Sequence, residues 1–280
     1  MNIAAVYVTY FPEPSLLERS LKAVSADVRD IIIVDNTDRP DRMLSDEAVG
    51  ARLPELAGCN VRIVSMGRNS GIAHALNVAF REAAEKGSTH VLALDQDSVP
   101  APGTVPALAS YMSGHQRVGQ VGPLYSFGEV SLNFSVRGEA EDVEHVITSG
   151  SLTSLEAYEA AGGFREDLFI DMVDVDFSIR VRAAGYRVVR LNTVVMEHHL
   201  GEAIRGIRLF GKDRLCYADH SPVRWYYITR NTLEIRHRFI WKPVLRMLLS
   251  GTGRRERLRY VLRGVRDYRD RSFGEYAEDR

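Results

Sequence analysis

The chain has few cysteines and no long apolar run. Its 280 residues contain only Cys59 and Cys216, which lie far apart without metal-type spacing. This argues against a disulfide framework and favours a reducing cytosol. No apolar run approaches the roughly 18–20 residues that a membrane-spanning helix needs. The first residues have neither the basic segment nor the apolar run of a signal peptide, so we expect a cytoplasmic protein.

Gly-rich phosphate-binding motifs are missing as well. The segment 67–72, GRNSGI, is neither a Walker loop nor a G-x-G-x-x-G motif, so the sequence supports neither ATPase nor NAD chemistry. What is present is an ordinary globular composition, with 45% hydrophobic and 26% charged residues. This length predicts one large domain, or one domain with an appendage.

The net charge of −1 conceals an uneven distribution. Residues 224–280 contain 15 Lys and Arg against 7 Asp and Glu, a net charge of +8, which leaves −9 for residues 1–223. An acidic body argues against generic nucleic-acid binding, and the basic tail predicts a separate task for the C-terminal residues. We therefore expect two domains, 1–222 and 223–280.

Strand-like and helix-like segments alternate in the first half of the chain. This pattern predicts βαβ units in an α/β fold with a mostly parallel sheet flanked by helices. The predicted strands are 3–9, 31–34, 61–64 and 91–94, and the predicted helices are 14–24, 70–86 and 106–112. In the second half we expect strands 118–123, 130–136, 143–148 and 187–191, an acidic loop 139–142, and helices 155–161 and 174–184.

Two carboxylates one residue apart follow the predicted strand 91–94. Ligands of open α/β sheets collect at the carboxyl ends of strands, where Asp95 and Asp97 would lie. Mg²⁺ or Mn²⁺ takes few protein carboxylates and completes its shell with water and phosphate. The pair therefore predicts a metal site. A solvated turn that caps the next helix is the alternative.

Further polar residues point to a bound nucleotide. Asp35 ends another predicted strand, where it can accept from a base or a sugar, although an Asx-turn would also place it there. Ser70 or Asn69 can N-cap the long helix that follows, whose free N–H groups would face an anion. Arg68 adds a charge that suits a diphosphate.

The acid-rich run 169–180 is costly beside apolar residues unless it is paired or functional. A helix start favours carboxylates, so a structural role is the alternative. Arg180 follows Asp176 by four residues, which predicts a helix ion pair. Asp174 is then the candidate general base. His198, after another strand-like segment, is a structural histidine, a third metal ligand or a hydrogen-bond donor to phosphate.

Together these segments resemble the inverting family 2 glycosyltransferases of GT-A fold, in particular the bacterial rhamnosyltransferase-like branch. The resemblance covers about residues 3–231. It rests on these motifs in order: Val8-Thr9-Tyr10, Val34-Asp35-Asn36, Asn69-x-Gly71 with Asn77, Asp95-Gln96-Asp97-Ser98, Phe169-Ile170-Asp171-x-Val173-Asp174 with Arg180, His198-x-Leu200-Gly201, and Arg224-x-Tyr226-Tyr227-x-x-Arg230-Asn231. Many members carry Glu where this chain has Val173.

The resemblance implies an enzyme that moves a hexose from a nucleotide donor, dTDP-L-rhamnose, to a glycan or lipid-linked glycan. It implies Mg²⁺ or Mn²⁺ at Asp95, Asp97 and His198, and Asp174 as the base. The implied donor contacts are Thr9, Tyr10, Asp35, Arg68, Asn69, Gly71, Asn77, Asp95 and Gln96. Two alternatives are a sugar-nucleotide pyrophosphorylase and a non-catalytic nucleotide-sugar-binding protein.

The basic tail predicts amphipathic helices. Residues 254–269 place Leu258, Val261, Leu262 and Val265 on one stripe among arginines. Such a helix can lie on an anionic membrane surface. The alternative is that it packs on the body or on a second copy of the chain. No nucleic-acid-binding module is recognisable.

Overall fold

The computed structural model describes residues 1–39, 41, 44, 56, 58–126, 138–197, 204–209, 212–218, 220–235, 244–245 and 253–277. The chain divides into two compact units. The first unit comprises Met1–Arg165 and Asp174–His199, and the second comprises Glu166–Val173 and Leu200–Arg280. The expected domain boundary after residue 222 stays a prediction.

The first unit contains an eight-stranded sheet of order β3-β2-β1-β4-β7-β5-β8-β6. The strands are β1 Ile3–Thr9, β2 Asp30–Asp35, β3 Asn60–Ser65, β4 His90–Asp95, β5 Val118–Ser126, β6 Ala140–Asp142, β7 Ser151–Ser154 and β8 Arg187–Glu197. The four pairs β1–β2, β1–β4, β2–β3 and β5–β8 are parallel, and the three pairs that involve β6 or β7 are antiparallel. The α/β prediction is confirmed.

Helices cover this sheet. They are α1 Pro14–Ser25, α2 Ile72–Glu85, α3 Thr104–Gly114, α4 Leu155–Ala160 and α5 Val173–Ala183. Strand residues alternate between the two faces. Tyr7 and Ile33 therefore share a core cluster with Leu21 of α1 and Leu108 of α3. Apolar residues at helical spacing bring α1 and α3 onto the same side of the sheet.

The start of α2 differs from the prediction that Ser70 or Asn69 is its N-cap. Gly71 is the N-cap, with φ of 79°, and no side chain caps the helix. Glycine adopts this left-handed conformation without the steric cost that a Cβ brings. The Asn69 side chain instead accepts a hydrogen bond from the Gly71 N–H, at 3.1 Å.

The acidic segment 139–142 is not the predicted loop. Its residues 140–142 form the edge strand β6, antiparallel to β8. Two cross-strand ion pairs neutralise its acids, since Arg190 donates to Glu141 at 2.8 Å and Arg187 donates to Asp142 at 2.9 Å. The expected strand 143–148 was wrong, because these residues have no strand structure. The expected strand 130–136 lies outside the described residues.

The second unit contains the hairpin β9 Ile204–Leu209 and β10 Lys212–Ala218, and the helices α6 Pro222–Glu234 and α7 Arg254–Arg269. The two helices approach closely, since a Cβ on Gly264 of α7 would lie 2.7 Å from the carbonyl oxygen of Tyr226 on α6. A glycine is needed at this crossing. Across the described parts of both units, no helix is long and apolar enough to cross a membrane.

Candidate active site

The carboxyl ends of three neighbouring strands carry the first group of predicted site residues. In the β1–β2 ladder Thr9 pairs with Asp35, and in the β1–β4 ladder Val8 pairs with Asp95. Parallel strands place these ends at the same edge of the sheet, where ligands of open α/β folds bind. The register therefore brings Thr9, Asp35 and Asp95 together as expected.

Asp35 is fully buried at this edge. One oxygen accepts from the Thr9 hydroxyl and from the Thr37 N–H, each at 3.1 Å, and the other accepts from the Leu44 N–H at 2.7 Å. These donors stabilise the buried carboxylate. The contacts give Asp35 and Thr9 a clear role in shaping the loop after β2. A donor contact by these two residues stays a prediction.

The loop before α2 is tied to the end of β2 through two asparagines. The Asn36 amide donates to Asn69 Oδ1 at 3.0 Å, and Asn36 Oδ1 accepts from the Ser70 N–H at 2.8 Å. The Ser70 hydroxyl is buried, and no partner for it occurs in the described part of the chain. Asn69 and Gly71 are thus brought beside the strand ends, with Asn36 as the residue that joins them.

Charged and aromatic groups border the same edge. Arg68 is exposed, and within the described ranges no carboxylate pairs with it, so its guanidinium is available to an anion. Tyr10 is 42% exposed after β1, and its N–H donates to Gln96 Oε1 at 2.7 Å. This bond joins the β1 end to the turn after β4. Gln96 therefore fixes Tyr10, and its own contact with a donor stays a prediction.

Asp95 sits on a buried network of hydroxyl groups. Its N–H donates to Ser149 Oγ at 2.9 Å, and Ser149 Oγ donates to Ser98 Oγ at 2.8 Å. The network continues through Ser20. Its hydroxyl donates to the Ser98 carbonyl and is hydrogen-bonded to the Tyr7 hydroxyl. Satisfied buried networks rigidify a site. The turn that carries Asp95 and Asp97 is therefore held in one position.

The residues present at this turn fit a divalent cation. Asp95 and Asp97 are both half-buried, and no hydrogen bond or ion pair from another described residue engages the Asp97 carboxylate. No cluster of three or more ligating side chains occurs among the described residues. Two carboxylates suit Mg²⁺ or Mn²⁺, which draw their remaining ligands from water and substrate phosphate. His198, the expected third ligand, lies outside the described residues.

Tyr125 connects the Asp95 turn electrostatically to Asp174. Burial raises the pKa of its hydroxyl well above the ordinary value, and the negative charges of Asp95 and Asp174 raise this pKa further. The negative charges of both carboxylates therefore act on one phenol, and both acids belong to the first unit. The hydroxyl donates to the carbonyls of Ile147, at 3.0 Å, and Ser149, at 2.6 Å.

Sequence reasoning missed Tyr125. The predicted strand 118–123 ends before it, whereas β5 continues to Ser126. The available signal was its position near the end of a core strand, since strand ends are where this fold collects functional side chains.

Asp174 lies in the first turn of α5 and is half-buried. Its Oδ1 accepts from the Val175 N–H at 2.8 Å. The predicted pair of Asp176 with Arg180 is confirmed, at 2.7 Å, and Arg165 adds a longer contact to Asp176 at 3.7 Å. Because the Asp176 carboxylate forms ion pairs with these arginines, Asp174 is the better candidate for proton transfer.

A polar contact inside the core anchors α5 to the sheet. The Ser178 hydroxyl, one turn after Asp174, donates to Gln120 Oε1 on β5 at 2.8 Å. Both side chains are fully buried. A satisfied buried pair of this kind fixes the rotation of the helix about its axis. The helix that carries Asp174 is therefore held firmly against β5.

Asn77 has a different environment from the other predicted donor ligands. It is 6% exposed inside α2, its amide donates to the Phe164 carbonyl at 2.9 Å, and its Oδ1 accepts from the Phe164 N–H and the Tyr158 hydroxyl, each at 2.8 Å. These contacts give the side chain a structural task. They lend no support to the expected donor contact.

The sheet and its flanking helices have the GT-A fold, and comparison with known proteins identifies the family. The profile of the family described as "Glycosyl transferase family 2" matches residues 5–169. The chain belongs to glycosyl transferase family 2 and is a glycosyltransferase. Family membership therefore favours a transferase over the two alternatives, a pyrophosphorylase and a non-catalytic binding protein.

Two relatives carry specific names. The chain is 30% identical over 247 residues to dTDP-rhamnosyl transferase RfbF of Shigella flexneri, an alignment that covers 82% of this chain and 78% of that one. It is 25% identical over 292 residues to N-acetylglucosaminyl-diphospho-decaprenol L-rhamnosyltransferase of Mycobacterium tuberculosis, with 89% and 90% of the two chains covered.

Solved structures share the fold at low identity. GalNAc-T7 with UDP, GalNAc and Mn²⁺ matches with a TM-score of 0.63 and 13% identity, over 96% of this chain and 56% of that one. The mannosyltransferase PcManGT of Pyrobaculum calidifontis, in complex with GDP-Man and Mn²⁺, gives 0.57 and 16%, over 95% and 69%. S. aureus TarS 1-349 with UDP-GlcNAc gives 0.56 and 14%, over 96% and 73%. This chain thus spans little more than half of GalNAc-T7.

Proposed function

We propose that this glycosyltransferase transfers L-rhamnose from dTDP-L-rhamnose, with inversion, to a hydroxyl group of a glycan or lipid-linked glycan in cell-surface polysaccharide synthesis. The names of the two relatives support the sugar and the donor nucleotide. The observation that carries the chemistry is that β5 is hydrogen-bonded to both acid-bearing elements, to α5 through Gln120 and Ser178 and to the Asp95 turn through Tyr125 and Ser149. Two acids from distant parts of the sequence serve one reaction centre.

In this proposal Asp174 removes the proton of the acceptor hydroxyl as its oxygen attacks the anomeric carbon. The bond from that carbon to the diphosphate breaks in the same displacement, and inversion follows because attack and departure occur on opposite faces. The half-buried position of Asp174 and the commitment of Asp176 to Arg180 support this assignment. A positioned base of this kind contributes about 10²–10⁴-fold to a rate.

At the donor end, the exposed Arg68 and the N–H groups at the start of α2 bind the diphosphate. Thr9, Tyr10, Asp35 and Asn69 form the wall for the nucleoside. Asp95 and Asp97 would hold Mg²⁺ or Mn²⁺, which when bound neutralises charge on the leaving diphosphate. The hydroxyl network under Asp95 fixes the main chain of the turn that carries these two carboxylates.

Donor binding tests the proposal directly. We expect dTDP-L-rhamnose with Mn²⁺ to raise the melting temperature of the full chain more than UDP- or GDP-sugars do. Asp97→Asn should remove most of the Mn²⁺-dependent part of this shift. Asp27→Asn, at an exposed aspartate of the same unit, is the matched control and should retain the shift. Absence of metal-dependent stabilisation by any nucleotide sugar would refute the donor site.

The acceptor proposal extends to a peripheral position on the cytoplasmic face of the membrane. On α7 the exposed positions 255, 258, 259, 262, 266 and 269 form one stripe. It carries Leu258 and Leu262, which are 37% and 60% exposed, among four arginines. Aliphatic side chains between arginines suit the headgroup region of anionic lipids, which is where a lipid-linked acceptor presents its sugar.

Vesicle flotation tests this surface. Each arginine near an anionic membrane contributes about 1 kcal/mol to binding, so exchanging Arg255, Arg259 and Arg266 for Gln should weaken partitioning into vesicles with phosphatidylserine by about a hundredfold. The control exchanges three exposed arginines of the first unit, Arg29, Arg81 and Arg182. Equal flotation of the two triple variants would contradict the membrane proposal and leave a second copy of the chain, a homo-oligomer, as the partner of this face.

A further inference from the structure

The segment Glu166–Val173, which leads directly into Asp174, has an unfavourable backbone conformation. Phe169, Asp171 and Met172 have φ of 65°, 63° and 64°. Side chains with a Cβ avoid this left-handed region, and of the three only Asp171 belongs to a residue type that adopts it occasionally. A run of such residues persists only where surrounding contacts enforce it. The second unit supplies those contacts from α6.

Asn231 of α6 binds three main-chain carbonyls of this segment. Its amide nitrogen donates to Leu168 at 2.9 Å, to Ile170 at 2.8 Å and to Asp171 at 2.9 Å. The side chain is fully buried. A single amide thus hydrogen-bonds to carbonyls on both sides of Phe169. These bonds fix the direction of the main chain through the strained residues.

Arg230, the neighbour of Asn231, is a fully buried arginine whose five donor positions are all used. Its Nε donates to Asn231 Oδ1 at 3.0 Å, which orients the amide. One terminal nitrogen donates to the carbonyls of Asp167 and Leu168, at 3.2 and 3.0 Å. The other donates to the Tyr226 hydroxyl at 3.2 Å and to the Gly274 carbonyl at 2.8 Å.

The guanidinium is enclosed by rings and by the residues that follow α7. It lies 5.2, 5.1 and 5.2 Å from the ring centroids of Tyr226, Tyr227 and Phe273. Aromatic faces stabilise a desolvated cation. The Gly274 N–H also donates to the Asp167 carbonyl at 2.8 Å. Residues 273–274, distant in sequence from Asp174, are therefore part of the same support.

Side-chain contacts at the strained residues complete the arrangement. Arg224 donates to both carboxylate oxygens of Asp171, at 2.6 and 3.3 Å. The Phe169 ring stacks on Tyr227 with a centroid distance of 5.3 Å. Each strained residue with a polar or aromatic side chain is thus held by α6.

We propose that Arg230 and Asn231 are positioning residues for the catalytic base, and that Phe273 and Gly274 complete this support. They hold Phe169, Asp171 and Met172 in their left-handed conformation, and the main chain that continues through Val173 transmits this geometry to Asp174. In this proposal the basic C-terminal part of the chain contributes to kcat by positioning the catalytic base, and it is more than an appendage. This inference rests on the proposed role of Asp174.

The test compares Asn231→Leu with Asn192→Leu in the full chain. Asn192 offers a matched control, because its amide donates to a single carbonyl, that of Gly138, at 3.1 Å. We expect Asn231→Leu to lower kcat at least tenfold while KM for dTDP-L-rhamnose stays within twofold, since the proposed donor residues belong to the first unit. Asn192→Leu should keep both values.

A rescue distinguishes positioning from general destabilisation. Met172→Gly removes the steric cost of a positive φ, so adding it to Asn231→Leu should restore kcat at least threefold relative to Asn231→Leu alone. Because relief of this strain also stabilises the folded protein, kcat is expressed per folded molecule, a quantity that a general loss of stability leaves unchanged. Phe273→Leu, a mild change outside the helices, should lower kcat severalfold and leave KM unchanged. This variant replaces Asn231→Leu in the test if Asn231→Leu does not fold.

The outcomes are separable. If Asp174→Asn abolishes transfer while Asn231→Leu and Phe273→Leu retain wild-type kcat, the positioning inference is overturned and the proposed function survives. An Asn231→Leu defect that Met172→Gly leaves unrepaired also overturns it. If Asp174→Asn retains transfer, the proposed function itself fails.

Discussion

Replacement of Asn77 by Ala separates a structural role from a donor-binding role. The wild-type amide makes three buried hydrogen bonds, two with the main chain of Phe164 and one with the hydroxyl of Tyr158. A net contribution of about 1 kcal/mol for each bond predicts a loss of about 3 kcal/mol in the free energy of unfolding. Tyr158→Phe removes only one of the three bonds and should cost about 1 kcal/mol.

Urea unfolding followed by circular dichroism measures these free energies, and titration with dTDP-L-rhamnose measures donor affinity. We expect the ratio of about three between the two losses, with donor affinity unchanged in Asn77→Ala. A variant of wild-type stability that binds the donor ten times more weakly would refute the structural role and restore the donor contact expected from sequence.

Three further changes test separate parts of the structure. Tyr125→Phe should cost about 1 kcal/mol of stability and lower turnover, because its hydroxyl holds the Ser149 carbonyl beside the Asp95 turn; unchanged turnover would remove Tyr125 from the site. Gly264→Ala should destabilise the α6–α7 pair by about 1–3 kcal/mol. Gly114→Ala is the control and should leave stability unchanged, because the added methyl group meets open space. Equal melting temperatures of the two variants would argue against the close crossing. Burial lowers the pKa of His90 below 6.5, so its contribution to stability is complete above pH 6.5 and is lost as the pH falls through that value toward the lower folded-state pKa. The stability of His90→Gln should therefore fall less steeply than that of the wild type between pH 7 and 5 in thermal unfolding, and parallel curves would contradict this.

The parallel half of the sheet could be predicted from sequence because its signals are local. Apolar runs such as Ile31–Val34 end in polar residues, and alternation with helices leaves few other topologies. The candidate residues Asp35 and Asp95 followed from the same rule, since these strand ends share one edge, whereas Thr9 was expected from the resemblance alone. The Asp176–Arg180 pair was accessible for the same reason, because helical spacing alone determines it.

The errors concern residues whose partners are distant in sequence. The acids of 140–142 form a strand because Arg187 and Arg190, more than 40 positions later, neutralise them. The Asn77 amide is hydrogen-bonded to Phe164, 87 positions away, a structural contact that local sequence does not indicate, and its expected donor contact stays a prediction. The left-handed residues before Asp174 are not glycines, the residue type that usually indicates such a conformation. The groups that support them, on α6 and after α7, lie far later in the sequence.

The decisive measurement is the rate of L-rhamnose transfer from dTDP-L-rhamnose by Asp174→Asn, with Asp27→Asn as control and donor affinity measured in parallel. We expect Asp174→Asn to lose about 10²–10⁴-fold in kcat with donor affinity unchanged within twofold, and Asp27→Asn to match the wild type. Wild-type turnover by Asp174→Asn would contradict the account, because the carboxylate near Asp95 and Tyr125 would then have no part in the reaction.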